Sequence, residues 1–172
     1  AVLPGVGSAA LVVLALTVGP QAAGPADWPQ WRGVHRDGRV AAPLPPGGWP
    51  ARLSRDWARE VGGGYSGPVV EGDRVWVHSR QAEQEVVSAL RLASGEPIWS
   101  SSYDAPFVQD TDALQHGRGP YATPAIADGR LFTFGVTSIL SAWDAATGRL
   151  LWRRESGPGF KGRFPYFGAA AS

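Results

Sequence analysis

The chain of 172 residues contains no cysteine. It therefore has no disulfide bond, no thiolate nucleophile and no cysteine-ligated zinc. It also lacks an excess of charge, because 16 basic and 15 acidic residues leave a net charge of +1. Such a balance provides no electrostatic footprint for nucleic acid or for an anionic membrane surface, so we expect neither as a partner. Hydrophobic residues make up 44% of the chain, which is ample for a packed core.

Long apolar runs are scarce, and the longest lies near the N-terminus at residues 9–18. Ten residues are too few to span a bilayer comfortably and are typical of the core of a signal peptide. Small residues, at which a peptidase could cut, follow at Ala22, Ala23, Gly24 and Ala26. We interpret residues 1–26 as a signal peptide whose start is missing, with a short membrane anchor as the alternative. We expect an exported protein, periplasmic or extracellular, with no stable membrane span after cleavage.

A sequence repeat organises the rest of the chain. Residues 142–152 read Ala-Trp-Asp-Ala-Ala-Thr-Gly-Arg-Leu-Leu-Trp, and a similar pattern occurs 53 residues earlier at 89–99. Upstream, Pro68–Val75 aligns with Pro124–Leu131 at an offset of 56, and we expect a longer polar loop at Ser79–Glu85 to absorb the difference. In each copy glycine supplies the positive φ of a turn between two apolar segments. Units of this length with four short strands each indicate β-propeller blades.

The repeat divides the chain after the signal peptide into five segments. These are an N-terminal segment rich in Pro, Gly and Trp with a partial blade (27–60), a blade (61–102), an inter-blade insertion (103–120), a second blade (121–156) and the start of a truncated further blade (157–172). A closed propeller needs about four to eight blades, so we expect further C-terminal blades of the same protein as partners. Trp28, Trp31 and Trp49 could form a ligand-facing aromatic patch, but we favour their burial against the first blades. Trp57 is expected to close the partial blade.

The motif Ala142-x-Asp144-x-x-Thr147-Gly148-x-x-x-Trp152 resembles the tryptophan-docking motif of the PQQ-like, or quinoprotein-type, β-propeller repeats. The opening Trp28-Pro-Gln-Trp-Arg-Gly33 resembles the start of many exported members. The resemblance implies an all-β propeller of four-stranded antiparallel blades, about two to three of them present. In it, each tryptophan lies against small residues of a neighbouring blade. The resemblance assigns structural docking roles to Ala89, Gly95, Trp99, Ala142, Asp144, Thr147, Gly148 and Trp152.

The connection between the two blades carries the candidate ligand contacts. Such connections lie on the loop face of a propeller, where ligands usually bind. Carboxylate and imidazole groups suit metal binding or proton transfer, but the spacing here selects no metal. The other interpretation is a surface loop whose polar side chains cap turns. The candidate ligand contacts are Asp110, Asp112, His116 and Arg118, whereas His35 and His78 are expected to be structural or exposed.

The resemblance leaves two classes of function open. The chain could be a non-catalytic scaffold that binds a protein or a small molecule on its loop face, like the family's outer-membrane assembly scaffolds. Alternatively, it could be the N-terminal part of a PQQ-dependent dehydrogenase, with the quinone and a calcium ion on the central axis. Many of these enzymes place an adjacent cysteine pair under the quinone, which this chain lacks, and no calcium-ligand pattern is recognisable. We therefore favour the scaffold, assign no catalytic residue, and retain PQQ with calcium only as an implication of the family.

Overall fold

The computed structural model describes residues 27–40, 46–109, 111–155 and 168–170. Eight strands form two antiparallel sheets in which each strand pairs with the next along the chain. Blade 1 contains β1 (Val69–Glu71), β2 (Arg74–Gln81), β3 (Gln84–Arg91) and β4 (Pro97–Asp104). Blade 2 contains β5 (Ala125–Ala127), β6 (Arg130–Phe134), β7 (Leu140–Asp144) and β8 (Leu150–Arg154). The predicted fold class, an all-β propeller with four-stranded antiparallel blades, is confirmed.

Glycine and the residue four positions before it close the last turn of each blade. In blade 2 the Asp144 carboxylate accepts hydrogen bonds from the Thr147 hydroxyl at 2.8 Å and the Thr147 backbone N–H at 2.9 Å. These bonds, the hydroxyl first, lower the pKa of Asp144. Gly148 has a φ of 73° and donates its N–H to the Asp144 carbonyl. Arg91 replaces the aspartate in blade 1, yet Gly95 has a φ of 70° and makes the same backbone bond. The backbone of the turn therefore does not depend on the aspartate.

The polar loop predicted at Ser79–Glu85 is wrong. β2 and β3 continue through most of this stretch, and only Ala82 and Glu83 remain in a two-residue turn. The error has a physical cause. The prediction assumed that a stretch of polar residues is a solvent-exposed loop. Arg80 and Glu85 are instead buried, at 7% and 0% exposure, and both have hydrogen-bond partners in the structure.

The two blades share one apolar core. β1 lies beside β5, which places the first strand of each blade on the axial side of the propeller. Indole N–H groups of Trp76 and Trp99 both donate to the Ala145 carbonyl at 3.1 Å, so hydrogen bonds as well as apolar contacts join the blades. The buried residues of the core cluster are Val69, Trp76, Val87, Ala89, Tyr103, Ala105, Ile126, Leu131, Ile139, Trp143 and Ala145.

Tryptophan rings lie on the turn glycines of the following blade. A Cβ atom on Gly148 would overlap the ring of Trp99, and one on Gly95 would overlap the ring of Trp57. Each indole N–H also donates to the carbonyl three residues before the glycine, at 3.1 Å for Trp99 and 2.9 Å for Trp57. The two tryptophans therefore occupy equivalent positions in successive repeats. Trp152, the next in the series, is 37% exposed.

The alanines of the predicted docking set lie inside their own blades. Ala89 and Ala142 are fully buried, and each is paired across its sheet with the tryptophan of the same blade, Trp99 and Trp152 respectively. Their small size leaves room beside these rings. The docking role assigned to the whole set stays a prediction.

The segment before blade 1 covers the axial edges of both blades. Trp28 exchanges two backbone hydrogen bonds with Val70, at 2.8 and 2.9 Å, and the Pro29 carbonyl accepts one from Ile126 at 2.7 Å. The expected burial of the tryptophans here is wrong for Trp31 and Trp49, which are 48% and 71% exposed. Both belong to turn-rich stretches that run over the surface, whereas Trp28 pairs with Val70 of the inner strand β1.

Several predictions concern parts of the chain outside the described residues. These parts are the signal peptide at 1–26, Asp110, and most of the further blade expected at 157–172. Of the helices that the structure describes, none has the length and apolar character needed to cross a membrane.

Candidate binding cleft on the loop face

The connection between the blades is a compact loop whose two ends are tied together by Arg80. β4 extends through Asp104, so the loop begins at Ala105. The Arg80 guanidinium donates to the Ala105 carbonyl at 2.6 Å and to the Arg118 carbonyl at 2.9 Å. A third bond, at 3.3 Å, reaches the carbonyl of Ala82 in the β2–β3 turn. One buried side chain of blade 1 therefore fixes both ends of the loop against the strand hairpin.

Buried side chains also hold the loop from inside. Gln109 is 8% exposed and donates its amide to the carbonyl of Ala113, within the loop's short 3₁₀ helix Thr111–His116, and to that of Gly117, directly after the helix. Phe107, at 5% exposure, anchors the first half of the loop. Since these contacts are internal to the chain, the loop is folded before any ligand arrives.

A cleft of about 250 Å³ opens between this loop and the segment that leads into β1. Tyr65 from that segment donates its backbone N–H to the Pro120 carbonyl at 2.8 Å and stacks on Tyr121 with ring centroids 5.5 Å apart. Burial, then the nearby Tyr65, raises the pKa of Tyr121. The residues that line the cleft are Gly63, Gly64, Tyr65, Arg80, Ala82, Gly117, Arg118 and Gly119.

An exposed ion pair lies at the cleft. Arg118 donates from Nη1 to Glu83 Oε1 at 2.6 Å, with 40% and 56% of the two side chains exposed. This hydrogen bond is the main reason that the pKa of Glu83 is lowered, and the charges of Arg118 and Arg80 add to it. Glu83 is therefore ionised at neutral pH and competes with any other acceptor for Arg118.

Of the three predicted ligand contacts that the structure describes, only Arg118 lines the cleft. Asp112 and His116 are exposed residues of the 3₁₀ helix and are not among the residues that line the cleft, and Asp110 lies outside the described residues. The structure therefore does not bring these three described residues together in the cleft. A ligand-binding role for the four residues stays a prediction.

Sequence reasoning missed Tyr65 and Arg80, although a signal for the tyrosine was available. The offset of 56 that aligns Pro68 with Pro124 also aligns Tyr65 with Tyr121, the residue on which it stacks. No comparable signal exists for Arg80, because its role depends on three backbone carbonyls that only the folded chain brings around it.

A second polar cluster lies buried between the blades. The Glu85 carboxylate accepts from the Tyr103 hydroxyl at 2.5 Å and from the Val136 backbone N–H at 2.8 Å, and His78 Nε2 lies 3.4 Å from it. Burial alone would raise the pKa of Glu85, but His78, Tyr103 and Val136 together lower it. A Cβ atom on residue 135 would overlap the Glu85 carboxylate, so the glycine at this position makes room for it. Because Val136 belongs to blade 2, this cluster links the two blades. His78 was expected to be structural or exposed, and the structure shows it buried.

The described residues supply no calcium-ligand set by themselves. Calcium is held by about six to eight oxygen ligands, and the part of the chain that the structure describes contains no group of three His, Cys, Asp or Glu side chains that could hold a metal ion. The axial edges of β1 and β5, on the side where the resemblance would place the quinone, carry hydrogen bonds to Trp28 and Pro29. We derive no chemistry from such a centre.

Comparison with known proteins identifies one matching family. Its model, described as outer membrane protein assembly factor BamB, matches residues 82–167, which is half of the chain. No curated protein matches the chain.

Several solved structures are similar to part of this chain. BamB from Moraxella catarrhalis is 20% identical over 57% of this chain and 27% of that chain, with a TM-score of 0.45. A europium-containing methanol dehydrogenase is 27% identical over 62% of this chain and 18% of that chain, with a TM-score of 0.41. A quinohemoprotein alcohol dehydrogenase from Comamonas testosteroni is 27% identical over 59% and 14%, with a TM-score of 0.42. The chain thus spans between 14% and 27% of the length of these proteins.

Proposed function

The chain belongs to the PQQ-like β-propeller repeat family, and on this premise we propose that it serves an exported propeller as a non-catalytic binding module. The ligand, a protein or a small molecule, binds in the cleft on the loop face. Fold alone does not give function, so the proposal depends on the site.

The observation that carries the proposal is the preformed cleft itself. Its walls come from two glycine-rich segments and from a loop that Arg80 and Gln109 hold in place. A site that is folded before binding loses little conformational entropy when its ligand arrives, which favours affinity. The lining residues include arginine and tyrosine, which binding sites often use as anchors.

The composition of the cleft favours binding over catalysis. Its lining contains glycines, two arginines, one tyrosine and one alanine. These groups can hold and orient a ligand. The carboxylate beside the cleft, Glu83, is engaged in an ion pair with Arg118, which leaves it poorly suited to take a proton from a substrate. The description of the matching family as an assembly factor supports a protein as the ligand, and the apolar run at 9–18 supports export.

A capture experiment with a matched control tests the proposal. The full chain, Arg118→Ala and Arg91→Ala are immobilised, and the material that each retains from the exported fraction is compared by mass spectrometry. Both arginines are exposed and paired with a glutamate, but only Arg118 lines the cleft. We expect a ligand that the wild type and Arg91→Ala retain and Arg118→Ala loses, with melting midpoints unchanged.

Equal retention by all three proteins would remove the cleft from the account. The purified wild-type protein also allows the alternative function, a PQQ-dependent dehydrogenase, to be tested. Stoichiometric uptake of PQQ by the wild type, measured by absorbance, would assign the protein to the dehydrogenase class instead.

A further inference from the structure

We infer that the loop-face cleft recognises an oxyanion of its ligand, a carboxylate or a sulfate group, through Arg118 and the buried charge of Arg80. The inference rests on the proposed binding function and names the chemistry that the cleft selects. It follows from the charge of the cleft, from the shape of its walls and from the exposed position of Glu83.

The cleft holds one positive charge more than its own carboxylate neutralises. Arg80 and Arg118 contribute two cations, and Glu83 supplies one anion, which pairs with Arg118. Arg80 is 7% exposed, and its guanidinium donates to three neutral carbonyl oxygens. Within the described part of the chain, no carboxylate forms an ion pair with it. Glu83 acts on Arg80 only at longer range, and the charge of Arg80 contributes to the lowered pKa of Glu83. A buried cation that no carboxylate contacts directly is costly, so an anion from outside is favoured beside it.

The ion pair between Arg118 and Glu83 is open to replacement. Both side chains are substantially exposed, and exposed ion pairs contribute little net stability because water screens them. An incoming oxyanion can therefore take over the Arg118 guanidinium, whose planar donors suit two oxygens at once. Glu83 then swings into solvent from its two-residue turn. In this arrangement Glu83 acts as an internal competitor that weakens binding.

Glycines make the wall of the cleft accessible to a small ligand. No atom lies within 4 Å of the place that a Cβ on Gly63 would occupy, and this backbone is not left-handed. Gly117 likewise has only the edge of the Tyr65 ring nearby, at 3.7 Å. Such positions let a ligand approach the main chain closely. They also provide a variant that adds a side chain at the cleft wall, Gly63→Val, whose Cβ meets no atom within 4 Å.

Isothermal titration of the full chain with sodium sulfate and, separately, sodium acetate tests the inference at constant ionic strength. We expect saturable binding of at least one anion, and the stronger of the two distinguishes a tetrahedral group from a planar carboxylate. Arg118→Gln should weaken binding by about tenfold or more, because a charge-assisted hydrogen bond is lost. Gly63→Val should abolish binding, and Glu83→Gln should strengthen it. Arg91→Gln, in the exposed pair with Glu96, should leave it unchanged.

Two results would overturn the inference. One is the absence of saturable binding of both anions to the wild type. The other is equal weakening by Arg118→Gln and Arg91→Gln, which would indicate only diffuse attraction to surface charge. The capture experiment separates this failure from that of the proposed function. If Arg118→Ala still loses the captured ligand while neither anion binds, the cleft is a binding site that does not select oxyanions.

Discussion

Replacing Glu85 by glutamine tests whether the buried polar cluster fixes one blade against the other. The side chain is fully buried and accepts hydrogen bonds from Tyr103 in its own blade and from Val136 in the next. Glutamine has nearly the same shape, so packing is retained. Its amide nitrogen, however, replaces one of the two accepting oxygens, and the negative charge beside His78 is lost.

The size of the effect follows from the bonds involved. A hydrogen bond to a charged group contributes about 1.5–3 kcal/mol and one between neutral groups about 0.5–1.5 kcal/mol. Glu85→Gln loses one bond to a charged acceptor and converts the other into a neutral one. We therefore expect the free energy of unfolding to fall by about 2–4 kcal/mol.

Acid adds a second readout for the same variant. The pKa of Glu85 is lower in the folded than in the unfolded protein, so its contribution is complete above the ordinary value of 4.5 and is lost as the pH falls through the lower, folded value. The wild type should lose stability as the pH falls below about 4.5. Glu85→Gln should lose less over the same range.

Urea denaturation at pH 7 and at several acidic pH values measures both effects. Glu83→Gln is the matched control, since Glu83 lies two residues away in the turn and is exposed. Its midpoint at pH 7 should remain near that of the wild type. Equal midpoints for the two variants at pH 7 would refute the reasoning, as would an identical acid dependence of wild type and Glu85→Gln.

Three further predictions concern the packing of the blades and the loop that connects them. Gly148→Ala should cost about 1–3 kcal/mol more than Gly129→Ala in denaturation, because both glycines have a positive φ but only Gly148 lies under a tryptophan ring. Trp99→Ala should cost about 3–5 kcal/mol, whereas Trp49→Ala, at a position 71% exposed, should leave the midpoint almost unchanged. Arg80→Lys keeps the charge but not the planar donors, so hydrogen exchange in the loop after β4 should accelerate roughly tenfold. Equal losses of stability for the two glycine variants, or for the two tryptophan variants, would contradict the packing roles of Gly148 and Trp99. Unchanged hydrogen exchange in Arg80→Lys would contradict the role of Arg80 in holding the loop.

The architecture was predictable because local chemistry repeats at an offset of 53 to 56 residues. Asp144, Thr147 and Gly148 indicate a tight turn by themselves, and the second copy at Gly95 shows that the pattern belongs to a blade. The hairpin at Ser79–Glu85 was mispredicted because its polar residues bond to other parts of the chain, and no local pattern records those partners.

The candidate site was predictable only in part, for a related reason. Arg118 was predicted because it lies in a long connection on the loop face, where ligands usually bind. Arg80 was missed because it lies in a strand and contacts the loop only after the chain folds. The Glu85 cluster is similar, since Val136 lies 51 residues further along the chain and meets the carboxylate only when two blades pack. Contacts of this kind depend on register and blade packing, which a single sequence does not display.

Site-specific photo-crosslinking tests most directly whether the loop-face cleft is the binding site. Tyr65, 62% exposed in the cleft lining, and Leu53, 78% exposed and outside it, are each replaced by p-benzoylphenylalanine in the full chain. Each protein is irradiated in the exported fraction and its adducts are measured by intact mass. We predict a defined adduct from position 65, diminished by Arg118→Ala, and none from position 53. Adducts from position 53 alone, or equal yields from both positions, would contradict the account.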